Sequence, residues 1–268
     1  MLTAWLFGPL RIGVGNDAAP EVTGLKPRAV LAWLLMHPGL HPREAVAARF
    51  WPNVLDTSAR GSLRSALWVV RATLEAVGGA EYLVGDRERV GIDSARPRRV
   101  DVEEVARLAS GDEPAGWEEA FGVMAEPLLV DLTDDWVLDA RDEYRMLAAE
   151  LARRLAAWAD EDGRPADAIA WTRRALARDR LDEATHRQLI SRLAAAGDGA
   201  QALVAYERCR AILRAEFGTG PSDETRALAR SVRAESTPGL AQQRPRQAAP
   251  SRRRASGTRR GHRGPSRR

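Results

Sequence analysis

Three arginines recur along one flank of a helix-patterned stretch in the first third of the chain. Between Thr57 and Val77, the residues Leu63, Leu67, Val70 and Leu74 fall within about 60° of one another on a helical wheel and form an apolar stripe. Arg60, Arg64 and Arg71 flank that stripe, while Gly61, Ser65, Trp68 and Ala72 point directly away from it. Guanidinium groups reach phosphates or the acceptor edge of guanine, and small outward residues let a helix lie close to a groove. The chemistry on offer is therefore recognition of double-stranded DNA. The same pattern also describes a solvated helix face, because arginine is common on any surface.

Other candidate chemistry is sparse. Of the four histidines, His37 and His41 flank a turn without a neighbouring cysteine, so they offer no metal site, and His186 reads as a packing residue. His262 lies near the chain end. The acidic pairs Glu103-Glu104, Glu118-Glu119 and Asp134-Asp135 read as solvated or helix-capping groups. There is no Ser-His-Asp or Cys-His set and no glycine-rich phosphate loop with a lysine. The chain is expected not to be an enzyme and to need no cofactor or metal. Cys209 is the single cysteine, which excludes an internal disulfide framework, and it reads as a small buried apolar residue.

Charge divides the chain into three parts. Residues 1–100 hold 13 basic and 9 acidic residues, net +4, and residues 101–235 hold 18 and 28, net −10. Residues 236–268 hold ten arginines and no acid. That tail is rich in Pro, Gly, Ser and Gln and cannot bury enough surface to offset its ordering entropy, so disorder is expected. Arg252, Arg253, Arg254, Arg259 and Arg260 could hold phosphates there without reading sequence. No apolar run approaches the ~20 residues of a membrane span, and no basic residue precedes Arg11 as a secretory leader would require. The expected location is the cytoplasm, on the nucleoid, with no membrane partner.

The elements that must carry the arginines can be placed by period and punctuation. Leu2 to Phe7 and Leu10 to Val14 read as two strands about Gly8-Pro9, and Val22 as part of a third. A helix begins near Pro27 and ends at His37-Pro38-Gly39; a second starts at Pro42, turns Ala45, Val46 and Phe50 inward and stops at Pro52. The third spans Thr57 to Val77 with Asp56 or Thr57 as its cap. Tyr82 to Val84 and Val90 to Ile92 then form a hairpin with the charged tip Gly85-Asp86-Arg87-Glu88-Arg89. Strands, three helices and a hairpin make a winged helix. Beyond it come helices near 102–110, 135–160, 165–178, 182–196, 199–216 and 222–234, with a loop at 111–116 and a weaker segment from Trp117 to Met124. Gly163, Ala166, Ala168 and Ile169 recur 34 residues later as Gly197, Ala200, Ala202 and Leu203, which is the tetratricopeptide period. The expected fold is mainly α with a small β component. A winged helix-turn-helix domain (1–99) precedes a tetratricopeptide-like all-α domain (100–235) and the tail (236–268).

Several runs carry a family resemblance. Phe7-Gly8-Pro9-Leu10-Arg11-Ile12, Lys26-Pro27-Arg28-Ala29-Val30-Leu31, Phe50-Trp51-Pro52 and Ser62-Leu63-Arg64-Ser65-Ala66-Leu67 resemble the SARP family, antibiotic-pathway activators of actinobacteria with an OmpR-type winged helix. Pro127-Leu128-Leu129, Asp135-Trp136-Val137 with Arg141, Asp182 to Leu189, and Ala202 to Tyr206 resemble the bacterial transcriptional activator domain that follows it. So do Leu213 to Phe217, Pro221-Ser222 and Thr225-Arg226.

The resemblance implies a sequence-specific activator. Arg60, Arg64, Ser65 and Arg71 would lie on the recognition helix, Arg87 and Arg89 in the wing, and Arg43 on a phosphate at the start of the second helix. It also implies direct repeats near a promoter −35 region, protomers side by side on DNA, and contact with RNA polymerase holoenzyme. Three departures stand out. The second wing strand has Val90-Gly91-Ile92 where the family usually has an aromatic, so a shorter or looser wing is expected. Ala125-Glu126 replaces the family's Arg-Gly before Pro127, which bears on the turn there. Trp68 stands where a small or polar residue is usual, to meet either deoxyribose and thymine methyl or another protomer. The altered wing and Trp68 leave open a helical-repeat adaptor whose winged helix is only structural.

Overall fold

Gly8-Pro9 reverses the chain at its start, with Gly8 at a φ of 92° that glycine adopts most readily. In the computed structural model, which describes residues 1–15, 17–18 and 20–235, Leu2–Trp5 (β1) and Arg11–Val14 (β2) pair antiparallel about that turn. Asp17–Ala18 (β3) continues the sheet. Val22 is not part of that strand; it is buried in irregular chain before Leu25–Met36 (α1). Ala29 to Leu35 are all buried, so α1 is the central rod of the first half. Pro27 is its third residue, still in the turn whose amides need no intrahelical acceptor.

A strand follows that the periodicity did not reveal. Gly39–Pro42 (β4) is short and alternates between half-buried and exposed. Pro42 therefore ends a strand rather than starting a helix, and Arg43–Phe50 (α2) begins one residue later. Its buried residues are Val46, Ala47 and Phe50; Ala45 is exposed. Asp56–Glu75 (α3) buries Leu63, Leu67, Val70 and Leu74 as the wheel requires. Neither Asp56 nor Thr57 caps it: Leu55 holds the cap position without a side-chain bond, and its carbonyl accepts from Ala59 N at 2.9 Å.

A 3-10 turn at Ala80–Tyr82 leads into Leu83–Gly85 (β5) and Arg89–Ile92 (β6). Tyr82 belongs to the turn, where its hydroxyl accepts from Leu2 N at 3.0 Å and donates to Pro97 O at 3.1 Å. The wing is a three-stranded sheet in the order β4-β6-β5. It is not loose. Val90 and Ile92 are buried, and a Cβ on Gly91 would stand 1.7 Å from Gly39 O. The missing side chain is what lets β4 and β6 close on each other. Arg98–Val100 (β7) then returns to pair in parallel with β1, giving the first sheet the order β3-β2-β1-β7.

The second half is helical throughout. Asp101–Ser110 (α4), Pro114–Val123 (α5), Asp135–Glu161 (α6), Pro165–Arg178 (α7), Glu183–Ala195 (α8), Gly199–Phe217 (α9) and Asp223–Glu235 (α10) follow one another. α5 starts inside the expected loop because Pro114 occupies its first turn, where a missing amide costs nothing. Gly163 and Gly197 take φ values of 70° and 80° ahead of α7 and α9, and Ala168 and Ala202 are fully buried. The 34-residue repeat thus marks equivalent turns in consecutive helix pairs. The fold is mainly α with a small β component, a winged helix followed by a helical domain.

The first half shares its apolar core with the start of the second, from Leu2 to Leu151, while the later helices pack in two further clusters about Ala152–Ala175 and Leu189–Val232. Backbone bonds cross between the two halves: Gly8 N donates to Pro127 O at 2.9 Å, Leu129 N to Leu6 O at 2.7 Å and Val130 N to Gly8 O at 3.1 Å. Leu129 takes a φ of 47°, a costly conformation for a leucine. Arg141 holds it there, donating to Leu128 O at 2.6 Å, Leu132 O at 2.7 Å and also to Leu129 O. The turn before Pro127 closes with Ala125 N on Gly122 O at 3.1 Å, Ala125-Glu126 notwithstanding. Asp101, at the first turn of α4, accepts from Leu6 N at 2.7 Å and Phe7 N at 2.9 Å.

Candidate nucleic-acid interface

The outward face of α3 is built from the apolar stripe on its inner side. Once Leu63, Leu67, Val70 and Leu74 are buried, the helical period turns Arg60, Arg64, Ser65, Trp68, Arg71 and Ala72 to solvent. Trp68 is 71% exposed. Ser65 Oγ donates back to Gly61 O at 3.3 Å, within its own helix. Arg71 leans toward the wing, with Nη2 3.5 Å from Leu83 O, so it braces α3 against β5.

The wing tip is set by one carboxylate. Asp86 Oδ1 accepts from Glu88 N at 2.7 Å and Arg89 N at 2.8 Å, and these amides, Arg89 first, hold its carboxyl below the usual range. Arg87 and Arg89 are exposed beside it. Arg43 ties the tip to α2: its backbone N–H donates to Glu88 O at 2.8 Å, and its Nε to Asp86 O at 2.9 Å and Arg89 O at 3.3 Å. The first amide of α2 is therefore occupied by the wing, and Arg43 acts as a strut between α2 and the wing tip. Nothing in the periodicity signals that role, because it depends on β4 lying beside β6.

Of the other arginines in the first hundred residues, four are ion-paired, and Arg11 and Arg49 lie over Trp5 and Trp33. Arg28 pairs with Glu21 and Asp131, Arg96 with Asp93, Arg98 with Glu103 and Arg99 with Glu104. Among the described residues Arg43, Arg60, Arg64, Arg71, Arg87 and Arg89 form no salt bridge. Arg43 and Arg89 lie close enough to Asp86 for their charges to act on it, while Arg60, Arg64, Arg71 and Arg87 have no carboxylate partner among the described residues, an arrangement that attracts a polyanion. Arg252, Arg253, Arg254, Arg259 and Arg260 lie outside the described residues. Cys209 is fully buried, and burial pushes its thiol up to about 11, which keeps it inert. His186 is buried at 3% exposure, as a packing residue would be. Among the described residues no helix is long and apolar enough to cross a membrane.

The model of the bacterial transcriptional activator domain matches residues 92–233, just over half of the chain. The chain belongs to the bacterial transcriptional activator domain family. The winged helix stands ahead of that domain in the chain. Among solved structures the chain is similar to EmbR of Mycobacterium tuberculosis, determined in complex with a low-affinity phosphopeptide. The TM-score is 0.69 at 22% identity, over 87% of this chain, and the chain spans 65% of that one. The likeness is one of fold. No curated protein matches in sequence. The family match begins on β6 and takes in α4 to α10, so the activator-domain helices include those that complete the core under the winged helix.

Proposed function

We propose that this protein is a sequence-specific DNA-binding activator that lays α3 in the major groove. Residues 1–99 read the DNA, residues 100–235 form the activator half, and the tail 236–268 adds phosphate contacts. Arg60 and Arg64 reach bases or phosphates, with Ser65 and Trp68 beside them and Arg71 bracing the helix. Arg87 and Arg89 follow the adjacent minor groove or backbone, and Arg43 sets the wing at that distance and contacts phosphate. The observation that carries this reading is the row of exposed arginines without carboxylate partners on α3 and the wing, in a chain that pairs most of its neighbouring arginines.

The finer reading rests on the SARP resemblance: direct repeats near the −35 region, protomers associating on DNA, contact with RNA polymerase holoenzyme, and control of a secondary-metabolite cluster from the cytoplasm. Footprinting of the full chain and of residues 1–235, on promoters beside the gene, tests it at about 150 mM salt, where nonspecific binding is weak. Two protected repeats with both proteins support the reading. Boundless protection that needs the tail would instead favour a helical-repeat adaptor whose winged helix is structural.

A further inference from the structure

The helical half gathers positive charge at one place against its own acidic balance. Arg173 on α7, Arg180 just beyond it and Arg208 on α9 line a cavity of about 290 Å³ between α7, α8 and α9, and no carboxylate lines it. Arg180 is paired with Glu216. Arg173 and Arg208 have no hydrogen-bond or ion-pair partner among the described residues, whereas Arg153, Arg164, Arg187 and Arg192 in the same half are paired. Much of the remaining wall is apolar, with Leu176, Leu189, Leu193 and Ile212.

His186 also lines this cavity, and it is only 3% exposed. Its Nε2 lies 3.0 Å from Arg180 O; a carbonyl only accepts, so Nε2 carries the proton. The other ring nitrogen, Nδ1, is buried without a partner. Burial holds the imidazole below its usual pKa, and Arg208 adds to the depression. With the proton on Nε2, Nδ1 has only a lone pair to offer, so a water or a ligand hydroxyl completes it and a bare carboxylate does not.

We propose that this cavity binds a small amphipathic organic acid, its anionic head among Arg173, Arg180 and Arg208 and its apolar body against Leu189, Leu193 and Ile212. The volume is near the lower end for small-molecule sites, so the ligand is compact. Two unpaired guanidinium groups supply charge-assisted donors for a carboxylate, and the apolar wall supplies burial for the rest. The site is on the far side of the chain's sequence from α3 and stands independently of the DNA reading.

Isothermal titration of the full chain with octanoate, octanol and inorganic phosphate tests the proposal. Octanoate is expected to bind about tenfold or more tighter than either, the scale of one charge-assisted contact. The double variant R173Q/R208Q is expected to bring octanoate down to the level of octanol while keeping the melting temperature of the parent. In 15N spectra the His186 ring resonances should move with octanoate in the parent and stay still in the double variant. Octanol binding as well as octanoate would reduce the cavity to an apolar cleft, and phosphate binding as well would reduce it to a bare cationic patch. Tighter binding of an Asp- and Glu-rich peptide would make it a groove for a protein segment. Any of these, or no binding of octanoate, overturns the proposal.

Discussion

At the scale of single residues, the candidate arginines of α2 and α3 divide by what else they touch. Arg71 is committed in part to Leu83 O, and Arg43 to the wing carbonyls, so each supports structure as well as charge. Arg64 has no such second duty. Arg64→Ala is expected to leave the melting temperature unchanged and to weaken specific DNA binding by about 1–3 kcal/mol while relaxing one base position. Affinity across a set of single-base operator variants measures this, and an equal loss on every variant would make Arg64 a phosphate contact. Asp101 is the opposite case, a carboxylate doing structural work. Burial raises its carboxyl, against the pull of the Phe7, Leu6 and Val102 amides. Asp101→Ala leaves those amides without an acceptor and is expected to cost about 2–4 kcal/mol in urea unfolding. The arginine flank of α3 was legible because a 3.6-residue period fixes which side faces out. The role of Asp101 was not, since its partners lie more than ninety residues away in sequence.

At the scale of elements, most helices were readable and three short strands, β3, β4 and β7, were not. The expected helices from 135 to 234 differ from the observed ones by a residue or two, because each has a sustained apolar period and a glycine, proline or aspartate at its ends. β4 and β7 have four and three residues, too few to show alternation, and exist because β6 and β1 offer them an edge. The wing is tighter than the sequence implies for a related reason: Gly91 reads as a weakness in a strand, yet the strand is narrow there because the β4 backbone passes over it. Gly91→Ala is expected to force β4 from β6, lowering stability by about 2 kcal/mol or more and weakening DNA binding together with it. Thermal melts and binding isotherms of that variant should fall in step. At the start of α8, Asp182 accepts from Thr185 N at 3.2 Å and Thr185 Oγ1 at 2.6 Å, and meets Arg153 at 2.9 Å. Burial opposes ionisation, but these donors prevail and hold the carboxyl below its usual value. A depressed carboxyl stabilises the fold above its unfolded value of about 4 and loses that contribution as pH falls through the folded value. Asp182→Ala is expected to cost about 1 kcal/mol at pH 7, as a lost helix cap does. The difference from the parent should shrink in melts below pH 4.

At the scale of the whole molecule, charge and packing draw different lines. The change from net +4 to net −10 falls near residue 100, where β7 meets α4. The apolar core ignores that line and continues to Leu151. Val102, Val105, Leu108, Met124 and Leu128 are buried in the same cluster as Leu2, Leu34 and Leu74. A fragment ending at Arg99 would expose that apolar surface and lack Asp101 as acceptor for the end of β1. It is expected to lose cooperative unfolding and to bind 8-anilinonaphthalene sulfonate, as a chain without fixed packing does. A sharp single melt from that fragment would show that the winged helix folds alone.

The shared core also bears on engineering and on descent. On the proposed reading, a DNA-binding head whose core takes in α4, α5 and the start of α6 cannot be exchanged like a cartridge at the charge boundary; a working chimera has to carry the first part of α6, with Arg141, along with the wing. New promoter preferences would then arise by resurfacing α3 in place, one outward position at a time, rather than by trading whole modules.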